Sequence, residues 1–436
     1  MKVEGLPEAE TMGQGQGREL VALRMVEVPR TVCRREGRRC RRHSGTIISG
    51  LNLHFRPCCH DLPECAAGNV TQLLLLLPPM SILFSPLKVR EIVLKNRIVV
   101  SPMCQYSARD GFAGDWHFVH LGSRAVGGAG LVMTEATAVS PEGRISPSDL
   151  GIWKDEQIAG LQKIVTFIRE QGSEAGIQLA HAGRKASVSE PWNGNRLVAE
   201  KDGGWPIVAP SPIAFNEHYG MPEELTAAGI RKVIGDFREA ARRALEAGFR
   251  VIEIHAAHGY LVHQFLSPLS NHRKDEYGGS PDNRVRLLLE IVDAVRTVWP
   301  AGYPLMVRIS ATDWAEGGWR PEDSVYLANL LKDRQVDVID CSSGGLVPGV
   351  KIPVGPSYQV RFAQEVRSAA GLLTGAVGMI TDAIQAESIL ASGQADLVFL
   401  AREFLRDPYF PLRAADELGY GEMPWPLQYE RAKGGY

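Results

Sequence analysis

No apolar run in the 436-residue chain approaches the roughly 20 residues that a bilayer-spanning helix needs; the longest block is Leu73–Leu77. Membrane insertion is therefore not expected. An excess of charge is missing too. There are 48 Lys+Arg against 50 Asp+Glu, a net charge of -2, which argues against a general nucleic-acid binder. Aromatic residues are almost absent from the first 79 positions: of 13 Phe, 11 Tyr and 8 Trp, only Phe55 falls there. Cysteine is scarce everywhere else. Cys33, Cys40, Cys58, Cys59 and Cys65 crowd the first 79 residues, which leaves Cys104 and Cys341. Their spacing, with His43 and His60 nearby, lacks the paired C-x-x-C of a zinc module. No signal peptide is readable, because the apolar block comes late and no small-residue cleavage site follows it. Residues 1–79 are expected to bury no core and to stay unstructured. Met80-Ser81-Ile82-Leu83-Phe84 reads as a natural chain start, so the preceding extension is taken as the product of a misplaced start codon. A cytoplasmic location is expected.

From Met80 onward, short runs rich in Val, Ile and Leu alternate with helical patterns. The runs cover 97–102, 130–136, 175–181, 250–257, 305–311, 336–343, 371–378 and 395–402. Runs this apolar, without strict alternation, suit parallel strands buried on both faces. Between them, Ile230, Val233, Ile234, Phe237, Ala241, Ala244 and Leu245 recur at three and four, with Thr226 as cap and Gly248 as stop. Leu287, Ile291, Val295 and Val298 repeat the pattern within 282–299. Asp407-Pro408 reads as a cap followed by proline at the first helical position. Eight βα units in one chain predict an α/β fold, a (β/α)8 TIM barrel over residues 80–436. A doubly wound sheet is the alternative, but G-x-G-x-x-G is missing after the first run.

A barrel places its active residues where the strands end. Those ends carry Ser101-Pro102-Met103-Cys104, Glu135-Ala136, Gln178 with His181, His255 with His258, Arg308, Cys341-Ser342-Ser343-Gly344, Gly375 to Gly378, and Ala401-Arg402. Gly375, Gly378 and Arg402, with a helix starting at Thr381-Asp382, suit an anion such as phosphate; tight turns with a surface arginine are the plain alternative. His255, His258 and Tyr260 admit three readings: metal ligands with Glu135 or Asp313, donors to a substrate oxygen with Tyr260 as acid, or buried structural groups. Cys104 is either a nucleophile needing a base or a small buried hydrophobe.

The segments SPMCQYS (101–107), IQLAHAGRK (177–185), IEIHAAHGYLVHQFLSPLSNHR (252–273), DEYGGSPDNR (275–284), TGAVGMITD (374–382) and QYER (428–431) resemble the Old Yellow Enzyme family. These are FMN-containing, NADPH-dependent ene-reductases. Cys104, Tyr106 and the QYER end resemble its thermophilic-like bacterial branch. The resemblance implies tightly bound, non-covalent FMN, NADPH as co-substrate and no metal. It places Ser101, Pro102, Met103 and Cys104 along the flavin ring, with Cys104 tuning it, and Ala136 and Gln178 at the pyrimidine edge. Arg308 faces the N1 and O2 region. Val377, Gly378, Met379, Ala401 and Arg402 hold the phosphate. His255 and His258 bind the substrate oxygen, Tyr106 and Lys185 help to hold the substrate, and Tyr260 donates the proton. Arg431 reaches the active site of a neighbouring copy in a homo-oligomer, a dimer or tetramer. The expected substrates are small activated alkenes, with no nucleic acid or membrane partner.

Two features depart from the family. Ala401 stands where glycine is usual, which matters if that backbone needs positive φ. The tail after QYER is Ala432-Lys433-Gly434-Gly435-Tyr436. Two rival functions have specific requirements. An iron–sulfur dienoyl-CoA reductase relative needs a cysteine cluster after the barrel and a further nucleotide domain, yet no cysteine follows Cys341. A metal-dependent barrel hydrolase needs more ligands than His255 and His258.

Overall fold

The computed structural model describes residues 26–32, 41–47 and 81–433. Its chain divides into two units, Met1–Val70 and Thr71–Tyr436. In the first, Val26–Val32 pairs antiparallel with Arg41–Ile47. Such a two-stranded ladder is marginal in water on its own. The rest of the extension, expected to be unstructured, lies outside the described residues.

The second unit is a closed barrel of eight parallel strands. They are β1 (Ile98–Val100), β2 (Leu131–Ala138), β3 (Glu174–Ala180), β4 (Val251–Ala256), β5 (Leu305–Ser310), β6 (Val338–Ser342), β7 (Leu373–Ala376) and β8 (Leu397–Leu400). Each pairs with its neighbours in sequence, and β8 closes on β1 through Val398 and Ile98. A helix follows every strand: α1 (Asp115–Val126), α2 (Ile158–Glu170), α3 (Ala227–Glu246), α4 (Pro281–Arg296), α5 (Pro321–Asp333), α6 (Val360–Ala370), α7 (Ala383–Ala391) and α8 (Phe410–Glu417). All eight expected strand runs are present. Among the described residues no helix is long and apolar enough to cross a membrane.

Strand parity divides the core. Ile252, Ile254 and Ala256 of β4 join the layer shared with the helices, while Val251 belongs to a second cluster inside the barrel. Period-two alternation then turns Glu253 and His255 inward as well. The lower interior is apolar: Val99, Leu131, Met133, Met306, Val338 and Phe399 pack against Val89, Ile92 and Leu94. Those last three come from a hairpin, Leu87–Val89 with Ile92–Leu94.

The helices follow the sequence logic. The Thr226 hydroxyl accepts the Gly229 N–H at 3.1 Å and caps α3. Phe237 is fully buried on its inner face, which contributes about 2–3 kcal/mol. Asp407-Pro408 is the exception. The Asp407 carboxylate accepts the Tyr409 N–H at 2.9 Å, and the Phe410 N–H reaches the Asp407 carbonyl, so a capped turn precedes α8 and the helix starts at Phe410. Because the barrel closes its own core, a chain beginning at Met80 is expected to keep the full-length protein's thermal unfolding midpoint. A lowered midpoint in a calorimetric scan would show that the extension is part of the fold.

Candidate active site

β4 delivers His255 to the mouth, and the chain then turns sharply. His258 and Gly259 both have positive φ, 58° and 72°. A Cβ on Gly259 would come within 2.4 Å of the Gly345 carbonyl oxygen, so only glycine fits there. The Ser310 hydroxyl accepts the His258 N–H at 2.9 Å and pins the turn. Tyr260 follows at the head of a short helix, Leu261–Leu266. The His255 ring centroid lies 5.2 Å from that of His258 and 5.0 Å from that of Tyr260.

Burial and then the Arg308 charge hold both imidazoles well below the usual histidine range, so they are neutral. Hydrogen bonding assigns their protons. His255 Nδ1 accepts the Ala257 N–H at 3.3 Å, which puts its proton on Nε2. His258 Nε2 lies 2.7 Å from the Ser342 hydroxyl. That hydroxyl has a second acceptor, Gln359 Oε1 at 3.4 Å, but Gln359 already takes the Ser343 hydroxyl at 2.5 Å. Which of the two donates follows the imidazole tautomer: with Ser342 as donor, His258 Nε2 accepts and Nδ1 carries the proton. His255 Nε2 and His258 Nδ1 have no hydrogen-bond partner among the described residues.

Beside the rings, on the neighbouring strands, lies a buried polar cluster. Arg308 donates to the Ser101 hydroxyl at 3.1 Å, and its Nε is 3.1 Å from Asp340 Oδ2. Gln178 donates from Nε2 to Glu253 Oε1 at 2.7 Å. Glu253 Oε2 and both Asp340 oxygens lack hydrogen-bond partners. Burial, with the Asp340 charge behind it, pushes Glu253 from the usual 4.5 up to about 8, against the pull of Arg308. Burial also pushes Asp340 up to about 6, again opposed by Arg308.

Cys104, Tyr106 and Tyr260 meet over one small apolar cluster that includes Ile145, Ala182 and Val188. Burial is the largest cause raising all three pKa values, with the Asp149 charge adding to it. Cys104 is therefore a thiol, not a thiolate. Ala136 and Tyr260 line a small cavity with Asp149. Pro102 and Met103 are half-buried beside them. Gln105 tethers this segment, donating from Nε2 to the Met103 carbonyl at 2.8 Å and from its backbone to Glu135 at 2.9 Å. Lys185 reaches the same turn, donating to the His258 carbonyl at 2.8 Å.

At the ends of β7 and β8, Val377, Gly378, Met379, Ala401 and Arg402 line a cavity of about 160 Å³. Gly378 has φ 120°. Ala401 has φ -107°, so this backbone lacks the positive φ that would call for glycine. Two sequence expectations change here. Gly375 lies within β7, paired with Leu397, and is absent from the cavity lining. The α7 terminus is capped by Asp382, whose carboxylate accepts the Gln385 N–H at 2.8 Å. Arg431 lies elsewhere, lining a separate cavity of about 1000 Å³ with Tyr409, Tyr420 and Tyr429.

The two carboxylates considered as metal ligands are engaged by other residues. Glu135 Oε1 is 3.1 Å from His117 Nε2, and Asp313 is 3.0 Å from His263 and accepts the Ser267 hydroxyl. Sequence reading missed Glu253, Asp340, Asp149, Ser342 as a partner of His258, and Gln359. Glu253 left a signal, an acid two positions before His255 in an apolar run and hence of the same parity. Gln359 left none, since it lies just before α6.

The sequence signature of the NADH:flavin oxidoreductase / NADH oxidase family matches residues 82–420. An NADPH dehydrogenase of Bacillus subtilis (strain 168) is 52% identical over 351 residues, covering 80% of this chain and 98% of that protein. Among solved structures, an Old Yellow Enzyme homologue from Zymomonas mobilis superposes with TM-score 0.65 at 28% identity, covering 77% of this chain and 92% of the other. A 2-naphthoyl-CoA reductase gives TM-score 0.72 at 25% identity; this chain spans 52% of its length and 77% of itself is covered.

The buried carboxyls set a pH dependence. Glu253 titrates near 4.5 when unfolded and near 8 when folded, so between these values the native state holds the extra proton. Stability from this group is complete below about 4.5 and is lost as pH rises through about 8. Glu253→Gln in cofactor-free protein is expected to flatten the fall in melting temperature across that window. An unchanged slope would remove Glu253 as the titrating group.

Proposed function

The chain belongs to the NADH:flavin oxidoreductase / NADH oxidase family and is a flavin-dependent oxidoreductase of the Old Yellow Enzyme type, and from this premise we propose that it reduces activated C=C bonds with NADPH. The observation that carries the reading is the pair of neutral imidazoles beside a protonated phenol, with a buried guanidinium level with His255 on the neighbouring strand.

The residues fit FMN at both ends. Gly378 and Arg402 offer a backbone N–H and a guanidinium to the phosphate, in a cavity of about 160 Å³. Gln178 and Arg308 would offer an amide and a cation to the pyrimidine edge, while Ser101, Pro102, Met103, Cys104 and Ala136 would line the ring. When bound, FMN supplies hydride transfer from NADPH to the β carbon of an α,β-unsaturated carbonyl compound or nitroalkene.

The remaining steps belong to the protein. His255 Nε2–H and His258 Nδ1–H donate to the substrate oxygen, which draws electron density from the alkene and makes its β carbon electrophilic. Because both rings are neutral, they polarise the oxygen without protonating it. Tyr260 donates a proton to the α carbon; its burial keeps that proton in place until the carbon demands it. Tyr106 and Lys185 bound the substrate on its other sides. The positive charge of Arg308 stabilises negative charge at the ring edge, and Cys104 tunes that environment as a thiol. Arg431 serves the mouth of a neighbouring copy, since its own lies elsewhere in the chain.

Purified protein is expected to be yellow and to be bleached by NADPH without oxygen; a colourless protein carrying zinc bound through His255 and His258 would support the hydrolase instead. Tyr260→Phe is expected to slow alkene reduction by about a hundred- to ten-thousandfold while NADPH still bleaches the protein at nearly the normal rate. Equal slowing of both half-reactions in stopped-flow would overturn the acid assignment. His258→Ala is expected to weaken p-hydroxybenzaldehyde binding, because one of two donors to its oxygen is lost. Unchanged titrations would count against that donor.

A further inference from the structure

Lys185 has no role in the proton and hydride steps above, yet it is held in an unusual way. Its Nζ donates to the His258 carbonyl at 2.8 Å and to the Gly345 carbonyl. It lies 4.1 Å from the Phe215 ring centroid and 5.6 Å from that of Tyr260. Among the described residues it has no carboxylate partner. The ionisable groups that face it are Arg184 on its own turn, and His255, His258 and Tyr260 on the β4 turn. None of them is an anion at neutral pH.

A neutral amine has two N–H bonds and one lone pair. The two carbonyl acceptors take two N–H bonds, and the third position on nitrogen faces the Phe215 ring and no anion. Lysines desolvated in this way attack carbonyl carbon. We propose that Lys185 is a second reactive centre of the mouth, an amine that captures aldehydes as a reversible imine. Burial, and then the Arg184 charge, bring its pKa down to about 7, so about half of it is neutral at neutral pH.

The step balances without a redox partner. The lone pair forms a C–N bond to the aldehyde carbon, and the carbonyl π pair moves to oxygen. A proton passes from nitrogen to that oxygen, giving a carbinolamine. The Tyr260 phenol protonates the departing hydroxyl, the C–O bond breaks, and water leaves. The iminium proton returns to the phenolate, so amine plus aldehyde gives imine plus water. Ketones, maleimides and nitroalkenes are poorer partners for this chemistry, so the amine divides aldehydes from the other activated alkenes. The inference rests on the mouth being the substrate site.

The test uses benzaldehyde, which has no reducible alkene, and sodium cyanoborohydride on the holoenzyme. A single benzyl adduct is expected, mapping by peptide mass spectrometry to Lys185 and suppressed by a saturating phenol. Its rate should be half-maximal near pH 7. An ordinary surface lysine has ~1000-fold less neutral amine at that pH. Lys185→Arg should abolish the adduct. Labelling confined to surface lysines in the wild-type protein overturns the proposal, whatever the variant does. Maleimide reduction by NADPH is assayed in the same preparation. Turnover without the Lys185 adduct sinks the imine alone; the adduct without flavin or turnover sinks the ene-reductase reading and leaves the reactive amine.

Discussion

One buried positive charge organises the upper half of the barrel. Arg308 is 5% exposed and sits inside a closed ring of strands, where an unpaired guanidinium is very costly. The protein answers with two carboxyls, Asp340 beside it and Glu253 on the other neighbouring strand. Burial raises the pKa of both carboxyls, and the Asp340 charge raises Glu253 further, so the cluster keeps a proton near neutral pH. The same charge lowers the pKa of His255 and His258 further than burial alone does. Replacing Arg308 with a neutral residue would therefore change four titrating groups at once.

The closed sheet makes this arrangement possible by keeping polar and apolar layers apart. The Leu87–Leu94 hairpin and the inward residues of the lower strands fill one end with hydrocarbon. Along β4 and β5 the inward polar side chains follow in the order Glu253 then His255, and Arg308 then Ser310. Each rise of two residues along a strand moves a side chain by roughly 6.6 Å toward solvent. The site is thus layered, with Glu253 one inward step below His255, and His255 level with Arg308 on the neighbouring strand.

Much of this was legible in the sequence. The eight strands were readable because a parallel barrel buries both faces of its strands, which yields unbroken apolar runs. The mouth residues were readable because the ends of those runs carry His255, His258, Arg308 and Arg402. The supporting shell was not. Asp149 sits in the loop after β2 and works through three bonds to Ile145 and Ser146, a local closure with no periodic signature. Gln359 and Ser342 meet only because the start of α6 returns to the end of β6. Glu253 was visible but passed over, since an acid inside an apolar run gives no sign of its partner on the next strand. Ala401 shows the reverse case: sequence raised a steric concern that only a dihedral angle could answer.

The turn after β4 joins the two kinds of information. Its sequence, His255 through Tyr260, carries the groups that act, but their direction depends on Ser310 at the end of β5, Ser342 at the end of β6 and Gly345 just beyond it. His258 occupies a left-handed backbone conformation that an ordinary side chain adopts at a cost of roughly 1–3 kcal/mol. That cost is offset by the Ser310 bond to its N–H, the Lys185 bond to its carbonyl and the Ser342 contact to its ring. Three different strand-end segments thus fix one residue at its backbone donor, backbone acceptor and ring nitrogen. A histidine pinned at three points cannot turn its remaining N–H away from the mouth without breaking one of them. The strain and the aim of the donor therefore have the same origin, in contacts that exist only once the barrel has closed.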